Sequence, residues 1–113
     1  MKKLFGVLLI AALPLAMVPS VAAQAHPAAK KAKVAIVSFQ FNPSTKTVPL
    51  GTTVIWTNKA TIPHGTASDD GTSWNSGIMA PGTKFKHKFT TAGTFTYHCV
   101  VHAFMTATVI VTP

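Results

Sequence analysis

The sequence predicts an all-β sandwich of one small domain. Three observations carry that expectation: short runs rich in Val, Ile, Thr and Phe, their separation by Pro, Gly and Asn, and period-two alternation within several of them. Alternation is clearest over Lys84 to Phe89, where Phe85, His87 and Phe89 share one face and Lys84, Lys86 and Lys88 the other. A strand of that kind is buried on one side and wet on the other. Thr94 to Cys99 follows a Thr91-Ala92-Gly93 turn, with Phe95, Tyr97 and Cys99 on one face, and Thr106 to Thr112 ends the chain with Ala107, Val109 and Val111 inward. Earlier, Val34 to Phe41 is expected to be a strand that turns Ala35, Val37, Phe39 and Phe41 to a common face. Thr47 to Leu50 and Thr52 to Asn58 come next, joined through Gly51. Ala67 to Gly82, with Gly71, Gly77 and Gly82, reads as the longest loop. Neither a helical period beyond the N-terminal segment nor an internal repeat is visible.

The N-terminus has a different character. Lys2 and Lys3 precede an apolar run from Leu4 to Leu13 and then small residues, the pattern of a secretory signal peptide over residues 1–25, cleaved after Ala23 or Ala25. An uncleaved membrane anchor is the rival reading, but Pro14, Pro19 and Ser20 interrupt it. Residues 26–33, rich in Ala, Lys and Pro, read as a flexible arm, and 34–113 as the domain. The expected location is the periplasm or another surface outside the cytoplasm. About 90 residues remain, enough to close a single core without staples. Cys99 is the one cysteine; it cannot form an internal disulfide, so in an oxidising compartment it needs a special reason to exist.

Charge is lopsided, with ten Lys and no Arg against Asp69 and Asp70, a formal net charge of +8. Such a surface favours an acidic protein partner, or weak association with an anionic membrane surface, through long-range steering. The bland alternative is a lysine coat that only confers solubility. Nucleic acid is excluded as a partner by the compartment and by the lack of Arg, the residue most used for bidentate base and phosphate contacts.

Between the last two strands stands Cys99-Val100-Val101-His102-Ala103-Phe104-Met105. On a strand this spacing would send the three sulfur and imidazole side chains to alternating faces, whereas a short loop can turn them toward one centre. A fourth ligand must come from elsewhere, and His64 in Ile62-Pro63-His64-Gly65 is well placed to supply it. One thiolate, two imidazoles and a weak thioether make the blue-copper donor set. Thiolate and thioether suit Cu(I) and imidazole suits Cu(II), so a stiff β scaffold around them favours electron transfer. Zinc is chemically possible, but the divalent affinity order and the poor match of Met to zinc favour copper. Taken singly, Met105 would be core filler, His102 a surface imidazole and Cys99 a small buried hydrophobe; their conjunction is the signal.

The segment Phe95-Thr-Tyr-His-Cys99-Val-Val-His102-Ala-Phe104-Met105 resembles the amicyanin and plastocyanin group of the cupredoxins, and its short loop looks more like the amicyanin form. The resemblance runs from about Val34 to Val111 and includes Trp56-Thr-Asn58 ahead of Pro63-His64. It implies a Greek-key β-sandwich, one type 1 copper ion cycling between Cu(I) and Cu(II), and a role shuttling electrons between larger redox proteins; the lysine-rich charge fits transient redox partners with an acidic docking surface, and the expected state is a monomer. Carried over by position, His64, Cys99 and His102 would be equatorial ligands and Met105 axial. It further implies that His102 breaks the surface within an apolar patch, here Ala103, Phe104 and Pro63.

Two positions depart from that pattern. Where the family commonly has Asn after the first His, bridging to the cysteine loop, this chain has Gly65, so the site is expected to be looser or differently braced. Where the family tends to have Pro before the second His, this chain has Val101, whose N–H is free to donate toward the Cys99 sulfur. His87 is expected to be a hydrogen-bonded core histidine, and His98 to point away from Cys99 toward the surface as part of a second electron route. His26 lies in the arm, where it could bind metal adventitiously. A periplasmic copper carrier or buffer without redox cycling is the alternative function. Enzymatic activity is not expected, because four protein ligands leave no open position for substrate.

Overall fold

A computed structural model describes residues 30–113. The expected signal peptide, its cleavage sites and His26 lie outside the described residues. Eight strands fold into two four-stranded sheets. They are β1 (Lys31–Val37), β2 (Gln40–Asn42), β3 (Thr45–Pro49), β4 (Thr53–Asn58), β5 (Ala67–Ser68), β6 (Lys84–Lys88), β7 (Gly93–His98) and β8 (Thr106–Thr112). One sheet has the order β2-β1-β4-β6, the other β3-β8-β7-β5. The β1–β4 and β3–β8 pairs are parallel and the rest antiparallel, so the expected all-β sandwich is present with two mixed sheets. β3 and β4, adjacent in sequence across Gly51, belong to different sheets; Gly51 takes φ 91° at this corner, a conformation open to glycine at no steric cost.

The core lies between the sheets. Val34 and Ile36 of β1, Val54 and Trp56 of β4 and Phe41 of β2 face Tyr97 of β7 and Ala107, Val109 and Val111 of β8. Trp56 is fully buried and stacks near Trp74 and Tyr97, with ring centroids at 5.4 and 5.6 Å. Aromatic side chains remove the most apolar area per residue, so this cluster contributes strongly to closing so small a sandwich. Among the described residues, every buried core residue falls between Val34 and Val111.

The alternation expected in β6, β7 and β8 is observed. The expectation for β1 is not. The inward residues are Val34 and Ile36, while Ala35 and Val37 point outward, and the strand starts at Lys31 instead of Val34. A tight turn at Ser38 and Phe39 is the reason. Phe39 adopts φ 58°, the left-handed region that side chains with a Cβ seldom enter, and the chain returns as β2 with Phe41 opposite Ile36. One continuous strand would have kept Ala35 and Phe41 on one side; the turn resets the parity.

Ala67 to Gly82 is mostly irregular, as expected, but it includes β5 and sends Trp74 and Met79 into the core. Asp70 organises its tip, accepting hydrogen bonds from the Ser68 and Ser73 hydroxyls and from the Thr72 and Ser73 amides. Those donors hold its carboxyl far below the usual carboxylate range.

His87 departs from expectation as well. It lies on the edge strand β6, half-buried, and packs against Trp74 and Phe89 at 5.3 and 4.7 Å. Stacking holds it where a hydrogen bond was expected, and burial lowers its pKa.

Candidate metal centre

Two loops at one end of the sandwich build the site. The first is set by Asn58, the fully buried last residue of β4. Its side-chain amide donates to the carbonyls of Ile62 (2.9 Å) and Met79 (3.0 Å), and its Oδ1 accepts from the Ala60 amide (3.0 Å). A buried amide with its donors and acceptor engaged rigidifies what it touches, here the turn leading to His64. A two-way backbone bridge with Met79 then fixes His64 itself (His64 N to Met79 O 3.1 Å, Met79 N to His64 O 2.6 Å).

The second loop continues β7 into β8. Its ends close on each other: Cys99 N donates to Met105 O (3.0 Å) and Met105 N to His102 O (2.9 Å). Cys99 and Met105 are buried, while His102 is half-buried.

The loops bring three of the four expected donors together. His64 Nδ1 lies 3.5 Å from Cys99 Sγ, His102 Nδ1 lies 3.8 Å from it, and the two nitrogens are 3.2 Å apart. A point equidistant from these three atoms is about 2.0 Å from each, which is the length of a metal–imidazole bond. Geometry and donor chemistry therefore fit a small trigonal metal ion. Burial, and secondarily the nearby His102, hold the His64 pKa below its ordinary value, which keeps its imidazole neutral with a lone pair to offer. Ligation through Nδ1 would leave the ring proton on Nε2, a buried atom without a partner among the described residues. Met105, the remaining expected donor, is buried in the same core cluster as Cys99.

Both departures noted in the sequence take physical form here. The Val101 amide donates to Cys99 Sγ at 3.4 Å, as its free N–H allowed. Gly65 braces the site by contact: a Cβ there would overlap Val100 Cγ2 and the Gly77 carbonyl oxygen. The two ligand loops thus touch directly where an Asn bridge was missing.

Beside His102 the surface is apolar: Phe39 (52% exposed) and Phe104 (70%) lie against its ring, and its chain neighbours Val101 (43%) and Ala103 are exposed. Phe39 was not expected to be part of it. Its ring meets His102 edge-on at 5.3 Å and lies 6.1 Å from Phe104 and 6.2 Å from His64, an arrangement created by the left-handed turn. An aromatic residue next to Ser38 in an otherwise regular strand was the only hint. His98 points away from Cys99, as expected, and pairs with Asp69 at 2.6 Å on the surface. That bond, followed by one from Thr96, lowers the Asp69 pKa.

A family model described as copper binding proteins of the plastocyanin/azurin family matches residues 28–112. Plastocyanin of Scenedesmus fuscus is 36% identical over 72 residues, covering 55% of this chain and 74% of that protein. Amicyanin of Paracoccus denitrificans is 35% identical over 68 residues, covering 57% of this chain and 52% of that protein. Among solved structures, a purple cupredoxin from Nitrosopumilus maritimus matches with a TM-score of 0.67 at 29% identity, over 72% of this chain and 99% of that one.

Proposed function

Because the chain belongs to the plastocyanin/azurin family of copper-binding proteins, we propose that it is an exported one-electron carrier whose single copper ion is held by His64, Cys99, His102 and Met105. The observation that carries this reading is the triangle of two imidazole nitrogens and one sulfur at 3.2 to 3.8 Å. Copper is the cofactor. When bound, it supplies a redox centre whose two oxidation states are both satisfied by this mixed donor set.

The protein's own residues do the remainder. His64 is buried and held neutral, so its Nδ1 needs no proton removed before it can ligate. The closed loop from Cys99 to Met105 and the Asn58 network keep the donors in place; a site that does not rearrange suits fast electron transfer. Phe39 and Phe104 flank the His102 ring and keep water from its sides. The half-buried His102 is the exit for the electron, and the apolar surface around it fits a small, short-lived protein interface. Without Lys2 and Lys3 of the signal peptide the net charge is still +6, which favours an acidic redox partner by long-range steering. Export is supported by the signal-peptide pattern at the N-terminus.

The test is the visible spectrum after addition of Cu(II). An intense band near about 600 nm, bleached by reductant and restored by oxidant, is expected for thiolate-bound copper of this type. Stoichiometric copper binding without that colour would move the function to copper carriage or buffering.

The Val101 amide tunes the site in a predictable direction. A hydrogen bond to the thiolate sulfur favours the electron-rich, reduced form and so raises the potential. Val101→Pro removes the donor, and the potential measured by redox titration is expected to fall by about 20 to 60 mV, the worth of one hydrogen bond. An unchanged or higher potential would refute that role.

A further inference from the structure

Among the described residues, most of the lysines stand on one face of the sandwich. On the outward side of the β2-β1-β4-β6 sheet, Lys31, Thr53 and Lys88 form one cross-strand row, Lys33, Ile55 and Lys86 the next, and Ala35, Thr57 and Lys84 a third. Lys59 follows directly after β4 and borders the same shallow groove as Lys33, Lys84 and Lys86. All six lysines are exposed. Adjacent strands lie about 4.8 Å apart and successive outward residues about 6.8 Å, so the rows form a closely spaced positive plate. No acid balances it: Asp69 and Asp70, the only ones in the chain, are engaged on the β5 side by His98 and by the turn after Ser68.

The opposite outward face is built differently. There Thr45, Thr108 and Thr96 form one row and Thr47, Ile110 and Thr94 the next. Solubility alone does not require charge to be confined to one side, and like charges held together cost stability. The segregation calls for an anionic counterpart.

We propose that the lysine plate is a docking surface for an anionic lipid bilayer, separate from the apolar end at His102. Protein interfaces are anchored by aromatic residues and Arg and are depleted in Lys. The plate has neither anchor, whereas the His102 end has exposed Phe39 and Phe104. Lysine is a hydrated point charge on a flexible stem, suited to diffuse attraction by a field of headgroups. Each lysine near such a surface raises the partition coefficient by about fivefold. Lys30, immediately before β1, adds a further charge where the chain enters the plate. β1 runs within this sheet from Lys31 to Val37, with Phe39 just beyond. With the plate against a bilayer, the strands lie in the membrane plane and the His102 end faces sideways, open to a protein partner.

The test is co-sedimentation of residues 26–113, which contain all eight strands, with vesicles of phosphatidylcholine alone or mixed with phosphatidylglycerol. Binding to the mixed vesicles only, weakening as salt rises, is expected. Lys33→Gln should weaken it about fivefold, and Lys33→Gln with Lys84→Gln and Lys86→Gln about a hundredfold. Lys46→Gln makes the same change in net charge off the plate and should leave binding within about twofold. Equal losses for Lys33→Gln and Lys46→Gln would overturn the assignment of the face. So would absence of vesicle binding; if polyglutamate resin then retained the protein through the same lysines, the counterpart would be an acidic protein. Binding is read with and without copper, so failure here leaves the copper reading untouched.

Discussion

Replacing Cys99 by Ser is expected to abolish the intense visible band completely and to weaken copper binding by orders of magnitude, while the domain stays folded. The band is a property of a thiolate bound to Cu(II), and a serine hydroxyl is neither ionised at neutral pH nor a soft donor. Cys99 Sγ is one corner of the donor triangle, 3.5 and 3.8 Å from the two imidazole nitrogens, and the described residues hold no second cysteine to replace it. Folding should survive because the two side chains are close in volume. The Val101 amide already pointed at Sγ remains available to the new hydroxyl, so the cost stays near about 1 to 2 kcal/mol. Absorption spectroscopy with a copper titration checks the first part and thermal unfolding the second. A Ser variant that kept the blue band would remove Cys99 from the site.

Gly65→Ala should have the next largest effect, and on both stability and copper retention. The new methyl group has no room: it meets the Gly77 carbonyl, which is backbone, and the Val100 side chain, which belongs to the cysteine loop. Neither can yield without moving a loop. Displacing the Gly77 side strains the pairing of His64 with Met79 and of Thr66 with Ser76; displacing Val100 shifts Cys99 next to it. Overpacking of this kind costs about 1 to 3 kcal/mol, and here the strain falls between two metal donors. Melting temperature and the rate of copper loss to a chelator should therefore change together. A variant with wild-type stability and a wild-type chelation rate would mean that the loops are free to separate at no cost.

The proposed donor set was legible early because three of its members lie in one short loop. Cys99, His102 and Met105 are placed relative to one another by local backbone geometry, and two hydrogen bonds between near neighbours close that loop. Strands β6, β7 and β8 were legible for a similar reason: each alternates polar and apolar side chains without interruption, and period-two parity is a property of the strand itself.

β1 was not legible in the same way, since Val34 to Val37 is apolar on both parities. The lysines at 31 and 33 carry the missing information. They share parity with Ala35 and mark it as the outward face, but only if the strand is taken to begin at Lys31. Nothing in composition announced the left-handed turn at Phe39, and so nothing placed that ring beside His102.

By itself, then, the amino-acid sequence determined the all-β class, the loop that carries three of the four proposed donors, and the inward faces of the last three strands. All of these depend on near neighbours along the chain. Tertiary structure alone decided what depends on register between distant segments. It put His64 Nδ1 3.5 Å from Cys99 Sγ and pressed Gly65 against Val100. It also drew the lysines of β1 and β6 onto one face across β4. Strand pairing sets such neighbours through backbone hydrogen bonds that all residues except proline can make, so side-chain identity along the chain does not reveal them.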